Sequence, residues 1–219
     1  MTLIRLDRTG DAAVLTLDRA PVNAMNLALL SDLADAAADL AANPPRRGVI
    51  VTGDHGLFSA GADIKEAPGY DAAQHATLRA HADAAFGALF HLPVPTVAAL
   101  PGHAIGGGLV LALACDRRLA VPGDYQLGLP EVTVGIEYPE VAWRVVDAGL
   151  DATVKRRMVL DGKPVDPHAA HDLGIVDELV PAGEILERAM RVADDLSRAA
   201  GYALVKAQLR GNARVIGQP

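Results

Sequence analysis

Thr96-Val97-Ala98-Ala99-Leu100-Pro101-Gly102-His103-Ala104-Ile105-Gly106-Gly107-Gly108-Leu109-Val110-Leu111-Ala112-Leu113-Ala114-Cys115 decides the fold class. Thr96 to Leu100 is a short apolar run without the alternation of a half-exposed strand, which suits a strand buried on both faces. Pro101 and Gly102 end it, and the loop runs on through three consecutive glycines to Gly108. Leu109 to Cys115 is apolar all round, the composition of a helix buried in a core. Buried strand, glycine-rich loop and buried helix in that order make one unit of an α/β fold with mainly parallel strands.

Less regular versions of the unit lie on either side. Gly48 to Thr52 reads as a buried strand, followed by a loop through Ala62 and a polar helical stretch from Asp71 to Leu92. Downstream, Leu119 to Val121 and Ile175 to Val180 read as short strands with a helical stretch between them, and Glu184 to Ser197 reads as a helix. Upstream, Leu3 to Leu6 and Val14 to Leu17 flank Thr9-Gly10-Asp11, the composition of a hairpin. Asn26 then precedes Leu29, Leu33, Ala36 and Leu40, spaced for one helical face, and Asn43-Pro44-Pro45 is the stop. The units share too little sequence to be a true repeat, and no linker or low-complexity segment separates them.

A chain of 219 residues suits one domain, or one domain with a small helical appendage, and is long enough to bury a sizeable core. Cys115 has no partner for an internal disulfide and sits in an apolar run, so it is expected as a core residue in a reducing cytoplasm. Arg5 and Arg8 interrupt the N-terminal apolar residues, and no stretch approaches the roughly 18 apolar residues of a membrane span, so a soluble protein without membrane partners is expected. The net charge is -7, and the basic residues cluster only as Arg46-Arg47, Arg117-Arg118 and Lys155-Arg156-Arg157. That balance speaks against nucleic acid as a partner.

Three segments can carry chemistry. Phe58-Ser59-Ala60-Gly61-Ala62-Asp63-Ile64 follows a buried strand, and Gly102 to Gly108 precedes a buried helix, so both can leave backbone amides pointing outward. Small residues admit a ligand to the main chain, and a helix N-terminus adds unpaired N–H groups and a field that favours negative charge. Two such amides would form an oxyanion hole. From glycine usage alone, two tight turns in which glycine only supplies unusual dihedrals are the favoured reading. Neither loop is a dinucleotide or nucleotide loop, because G-x-G-x-x-G and G-K-[ST] are both absent, and no G-x-S-x-G elbow offers a serine nucleophile. In Gly128-Leu129-Pro130-Glu131-Val132 a carboxylate stands among apolar residues after the strand-like Tyr125 to Leu127. There its pKa would rise toward the range of a general base, although Pro-Glu is also a common helix start. His168 and His171, spaced i, i+3 without a third ligand motif, read as a wet helix surface rather than a metal site. His103, in the glycine loop, reads as a histidine satisfied by backbone groups.

These segments coincide in order and spacing with one family. Pro21-Val22-Asn23-Ala24-Met25-Asn26, Phe58 to Asp63, Gly102 to Asp116, Leu129-Pro130-Glu131 and Leu173-Gly174-Ile175-Val176-Asp177 resemble the enoyl-CoA hydratase/isomerase (crotonase) superfamily along the whole chain. The resemblance implies a crotonase-like spiral of ββα units over residues 1–182, with a helical C-terminal segment over 183–219 that is shorter than its relatives carry. It implies an acyl-CoA substrate, no metal and no cofactor beyond the CoA thioester, and assembly as a homotrimer or homohexamer. By the same resemblance the amides of Ala62 and Gly107 hold the thioester oxygen and Glu131 moves the proton, while Val22, Ala24, Ala60, Asp63 and Ile64 lie along the CoA.

One departure narrows the reaction. Hydratases of the family resemble this chain but carry a second glutamate two residues past the last glycine of the second loop, where Val110 stands here. Mitochondrial-type enoyl-CoA isomerases resemble it in having an apolar residue there and keeping the other glutamate. The expectation is therefore a 3,2-enoyl-CoA isomerase. The alternatives are a hydratase in which Glu137 or Glu140 replaces the missing group, or a CoA-binding subunit without catalysis.

Overall fold

The computed structural model describes residues 2–211. β1 (Ile4–Thr9) and β2 (Ala12–Leu17) form the expected hairpin, with Thr9 opposite Ala12 and Ile4 opposite Leu17. α1 (Leu27–Ala42) starts at Asn26, whose side chain accepts from the Leu29 amide, and buries Leu29, Leu30, Leu33, Ala37 and Leu40. β3 (Gly48–Gly53) follows, and α2 (Ala72–Phe90) begins with a capping box between Asp71 and Gln74. The stretch quoted first becomes β4 (Thr96–Leu100), β5 (Ala104–Ile105) and α3 (Gly107–Ala114). Its loop thus contains a two-residue strand, and its helix begins two residues before Leu109. β6 (Arg117–Ala120), β7 (Leu127–Gly128), α4 (Glu131–Val134), α5 (Glu140–Gly149), α6 (Ala152–Asp161) and α7 (Pro167–Asp172) lead to β8 (Glu178–Leu179), α8 (Ile185–Ser197) and α9 (Tyr202–Leu209).

Six strands form one sheet in the order β1-β2-β3-β4-β6-β8, and every pairing beyond the hairpin is parallel. The central strands β3 and β4 are mostly apolar because both faces are covered. Val49, Val51, Ala98 and Leu100 join the larger core that includes buried residues of α1, α2 and α3. Ile50, Val97 and Ala99 face the other way, against Ile185, Ala189 and Ala193 of α8. A second, smaller layer consists of β5 paired in parallel with β7, extended by the parallel bridges Ser59–Ala104 and Met25–Ala62. The chain passes repeatedly from the large sheet to this layer and then into a helix, which is the ββα spiral.

Cys115 is fully buried, and burial pushes its thiol up to about 12. The expected strand Ile175 to Val180 is shorter, only Glu178–Leu179. Ile175 and Val176 are buried as expected, but their amides both donate to the Ala170 carbonyl at the end of α7, so neither joins the ladder. No helix among the described residues is long and apolar enough to cross a membrane. Of the segment 183–219, residues 212–219 lie outside the described residues.

Candidate active site

The second layer brings four segments side by side. Ala60 N donates to the Val22 carbonyl at 3.0 Å, Met25 N to Gly61 at 2.7 Å and Asp63 N to Met25 at 3.1 Å. Ile105 N donates to Ser59 at 3.0 Å, and Gly106 N to Gly128 at 2.8 Å. Asn23, fully buried, ties the first two segments together: its Nδ2 donates to the carbonyls of Asp54, Leu57 and Phe58, and its Oδ1 accepts from Arg19 N.

Within this dense network the amides of Ala62 and Gly107 are among those without an acceptor among the described residues. Ala62 N is passed over because the Met25 bridge uses the residues on either side of it. Gly107 is the first residue of α3, where a helix leaves its N–H groups unpaired. The two loops approach closely because Gly61 adopts φ +80°; a Cβ there would stand 2.4 Å from the Ile105 carbonyl oxygen and 3.2 Å from Gly107 N. Gly107 N stands at the positive end of α3, where negative charge is favoured.

Glu131 faces the same place. It is the first residue of α4, so the helix-start and acid/base readings of Pro130-Glu131 describe one residue. Only 9% exposed, it accepts a 2.7 Å hydrogen bond at Oε2 from the Tyr138 hydroxyl, while Oε1 looks toward Gly106. Burial raises its pKa above the ordinary 4.5, and the Tyr138 hydroxyl and the residue's own amide pull the other way without cancelling that effect. All of this opens into a cleft of about 1590 Å³, whose walls include Met25, Leu78, Ala82, Phe86 and Val110.

An Enoyl-CoA hydratase/isomerase family model matches residues 7–215. The chain belongs to the enoyl-CoA hydratase/isomerase family. As a hydratase/isomerase it is an enzyme of the isomerase or lyase type that acts on acyl-CoA. It is 30% identical over 201 residues to a probable enoyl-CoA hydratase of Mycobacterium bovis, covering 91% of this chain and 77% of the relative. It is 31% identical over 210 residues to the 2,3-dehydroadipyl-CoA hydratase of Escherichia coli, covering 95% and 81%. A glyoxysomal fatty acid β-oxidation multifunctional protein of Brassica napus is 34% identical over 202 residues, but the chain spans only 27% of that relative's length. Among solved structures, an enoyl-CoA hydratase of Bacillus anthracis matches with TM-score 0.86 and 28% identity, covering 97% of this chain and 84% of that one. DspI of Pseudomonas aeruginosa matches with TM-score 0.84 and 29% identity, covering 99% and 89%.

In this hydratase/isomerase the residues singled out in the sequence, Val22, Ala24, Ala60, Ala62, Asp63, Ile64, Gly107 and Glu131, all line the one cleft. Val22 and Ile64 are exposed in it. The Asp63 carboxylate is already engaged: Oδ2 pairs with Arg19 at 2.8 Å, and Oδ1 accepts from the amides of Lys65 and Glu66. Those bonds hold it below the ordinary carboxylate range although burial pushes the other way. Glu66 is likewise held, by Tyr70, Asn26 and Arg19. Neither is free to shuttle a proton. Glu137 is exposed and lines the cleft, whereas Glu140 is not on its wall and pairs with Arg144 at 2.5 Å. Val110, 1% exposed, presents an apolar wall where the second glutamate of a hydratase is expected. His103 accepts from Gln126 N at Nδ1 and does not line the cleft, and His168 and His171 are exposed on α7.

Tyr138 escaped the sequence reading. Nothing in its spacing from Glu131 marks it, because the contact depends on a reversal at Gly135, left-handed at φ +68°, which ends α4 after one turn. The Arg19-Asp63-Glu66 network escaped for the same reason: its partners are far apart in sequence.

Proposed function

We propose that this enzyme is a 3,2-enoyl-CoA isomerase. The observation that supports it is that Glu131 is a buried carboxylate of the cleft with no cationic partner among the described residues, while Val110 lines the same cleft where a hydratase is expected to carry a second glutamate. Glu131 takes a proton from C2 of a 3-enoyl-CoA, and the C–H electrons move into the thioester carbonyl. The dienolate oxygen is held by the amides of Ala62 and Gly107, each donor contributing about 10² to 10³ in rate in comparable sites. Protonated Glu131 then returns its proton at C4, and the double bond settles between C2 and C3. The reaction so written is balanced with one carboxylate and needs no cofactor. Val22, Ala24, Ala60 and Ile64 flank the CoA, and Asp63 contributes by fixing its loop.

A hydratase is the second reading, favoured by Glu137 on the cleft wall. Product identity with a 3-enoyl-CoA and a 2-enoyl-CoA, assayed side by side, separates the two. Faster isomerisation supports the first reading; hydration that equals or exceeds it across short and medium acyl chains rejects it. The enzyme is further proposed to be cytoplasmic and to assemble as a trimer or hexamer, an assembly that sedimentation showing only monomer at micromolar concentration would exclude.

A further inference from the structure

We propose that Tyr138 is a positioning residue for the proton transfer, holding one oxygen of the Glu131 carboxylate so that the other oxygen carries the proton. The inference rests on the reading of Glu131 as the acid/base group.

The two oxygens of Glu131 have different surroundings. Oε2 accepts from the Tyr138 hydroxyl at 2.7 Å. Oε1 accepts from no side chain among the described residues and faces Gly106. The contact is built by the turn between them: α4 stops at Gly135, the Ile136 amide donates to the Glu131 carbonyl at 3.1 Å, and the chain returns over Glu131 at residue 138. Pro139 caps α5, and the Tyr138 ring lies against that of Trp143, with centroids 5.8 Å apart and planes tilted by 53°. The phenol is therefore held at the ring from α5 and at the hydroxyl by Glu131.

Three consequences follow from the chemistry of a phenol beside a buried carboxylate. A carboxylate anchored at one oxygen keeps its free oxygen aimed at the substrate carbons, as a shuttle between C2 and C4 requires. A donor to the ionised form keeps Glu131 a usable base despite its burial. Occupation of Oε2 also takes one of the acceptor positions from which a water could be held, which favours isomerisation over hydration. Burial and the neighbouring carboxylate push the Tyr138 hydroxyl up, so it remains a donor and is not itself the proton carrier. Among the described residues no other titratable side chain acts on Glu131: Glu140 of α5 pairs with Arg144, Asp83 of α2 accepts from the Val141 amide, and Glu137 is exposed in the cleft.

The test is the pH profile of 3-enoyl-CoA isomerisation by Tyr138→Phe and by protein carrying 3-fluorotyrosine at position 138. Loss of the hydroxyl should lower kcat about ten-fold, leave KM nearly unchanged and move the acidic limb up by about one to two pH units. The fluorinated phenol keeps the shape but donates more strongly, so its limb should move down. If the phenylalanine variant fails to fold, the fluorotyrosine protein decides. An acidic limb that stays in place in Tyr138→Phe, with or without loss of kcat, or one that moves up with fluorotyrosine, overturns the assignment. Wild-type-like turnover in Glu131→Gln would instead remove Glu131 and with it the reading on which the inference rests. Loss of turnover there with an unmoved limb in Tyr138→Phe overturns the Tyr138 role alone.

Discussion

A Cβ on Gly106 would stand 3.2 Å from Oε1 of Glu131, and Gly106 adopts φ +53°, ψ -124°, a conformation that side chains rarely tolerate. The glycine thus gives α3 its entry angle and leaves room for Oε1 of Glu131. Gly106→Ala is expected to lower turnover by about 10- to 100-fold through displacement of Glu131. Backbone strain should cost a further roughly 1–3 kcal/mol of stability. Steady-state kinetics and urea unfolding check the two effects, and wild-type kinetics would show that Oε1 does not need this space.

Glu131→Gln should keep the fold and the binding of CoA thioesters while turnover falls by roughly 10² to 10⁴, the usual contribution of a positioned acid/base group. Calorimetric titration with a saturated acyl-CoA, alongside the activity assay, separates binding from chemistry. Wild-type-like turnover would promote Glu137.

The same substitution has a consequence for stability. Burial raises the Glu131 pKa in the folded state above the ordinary 4.5, so the folded chain binds the proton more tightly than the unfolded one. Stability then falls as pH rises from the unfolded value through the folded one, and the cost is complete above both. Glu131→Gln should therefore unfold at a higher temperature than wild type at pH about 8, with the difference vanishing as pH drops below the unfolded value. A lower melting temperature across the whole range would mean that the Tyr138 bond outweighs desolvation.

Val110→Glu should raise hydration of a 2-enoyl-CoA measurably, but well short of the roughly 10² to 10⁴ of a tuned acid/base group, because the pocket is not shaped to hold water there. Residue 110 lies in the first turn of α3 and on the cleft wall. Its burial predicts a loss of stability for the new carboxylate as well. The ratio of hydration to isomerisation, wild type against variant, is the measurement.

Lys206 of α9 ties that helix to the core. Its Nζ donates to Asp116 Oδ2 at 2.7 Å and to the Val94 carbonyl at 2.9 Å, with Arg210 3.1 Å from Asp116 Oδ1 and Tyr202 2.8 Å from Oδ2. Lys206→Met should cost about 3 kcal/mol, the low end for breaking a buried pair, because Arg210 and Tyr202 remain on Asp116. Adding Asp116→Asn should lower stability further, because it leaves the buried Arg210 without its carboxylate, which urea midpoints of the single and double variants will show.

The order of strands, glycine loops and helices was legible along the chain because each is written in local periodicity: Asn26 before the Leu29-Leu33-Leu40 face, Thr9-Gly10-Asp11 in the hairpin, the unbroken apolar run of β4. The candidate residues Ala62, Gly107 and Glu131 were legible through resemblance, since the loops that carry them are short continuous motifs. Their lining of one cleft depended on the second layer, which places residues far apart in sequence on neighbouring strands. The strand Ile175 to Val180 was overread because apolar composition cannot reveal that two of its amides are taken by Ala170. Local sequence thus determined which elements form and which groups are chemically able. Tertiary structure alone decided which amides stay unpaired, that the Asp63 and Glu66 carboxylates are committed to Arg19, and that Tyr138 folds back onto Glu131. Hydrogen-bond satisfaction and burial are properties of the assembled neighbourhood, and no window of sequence contains them.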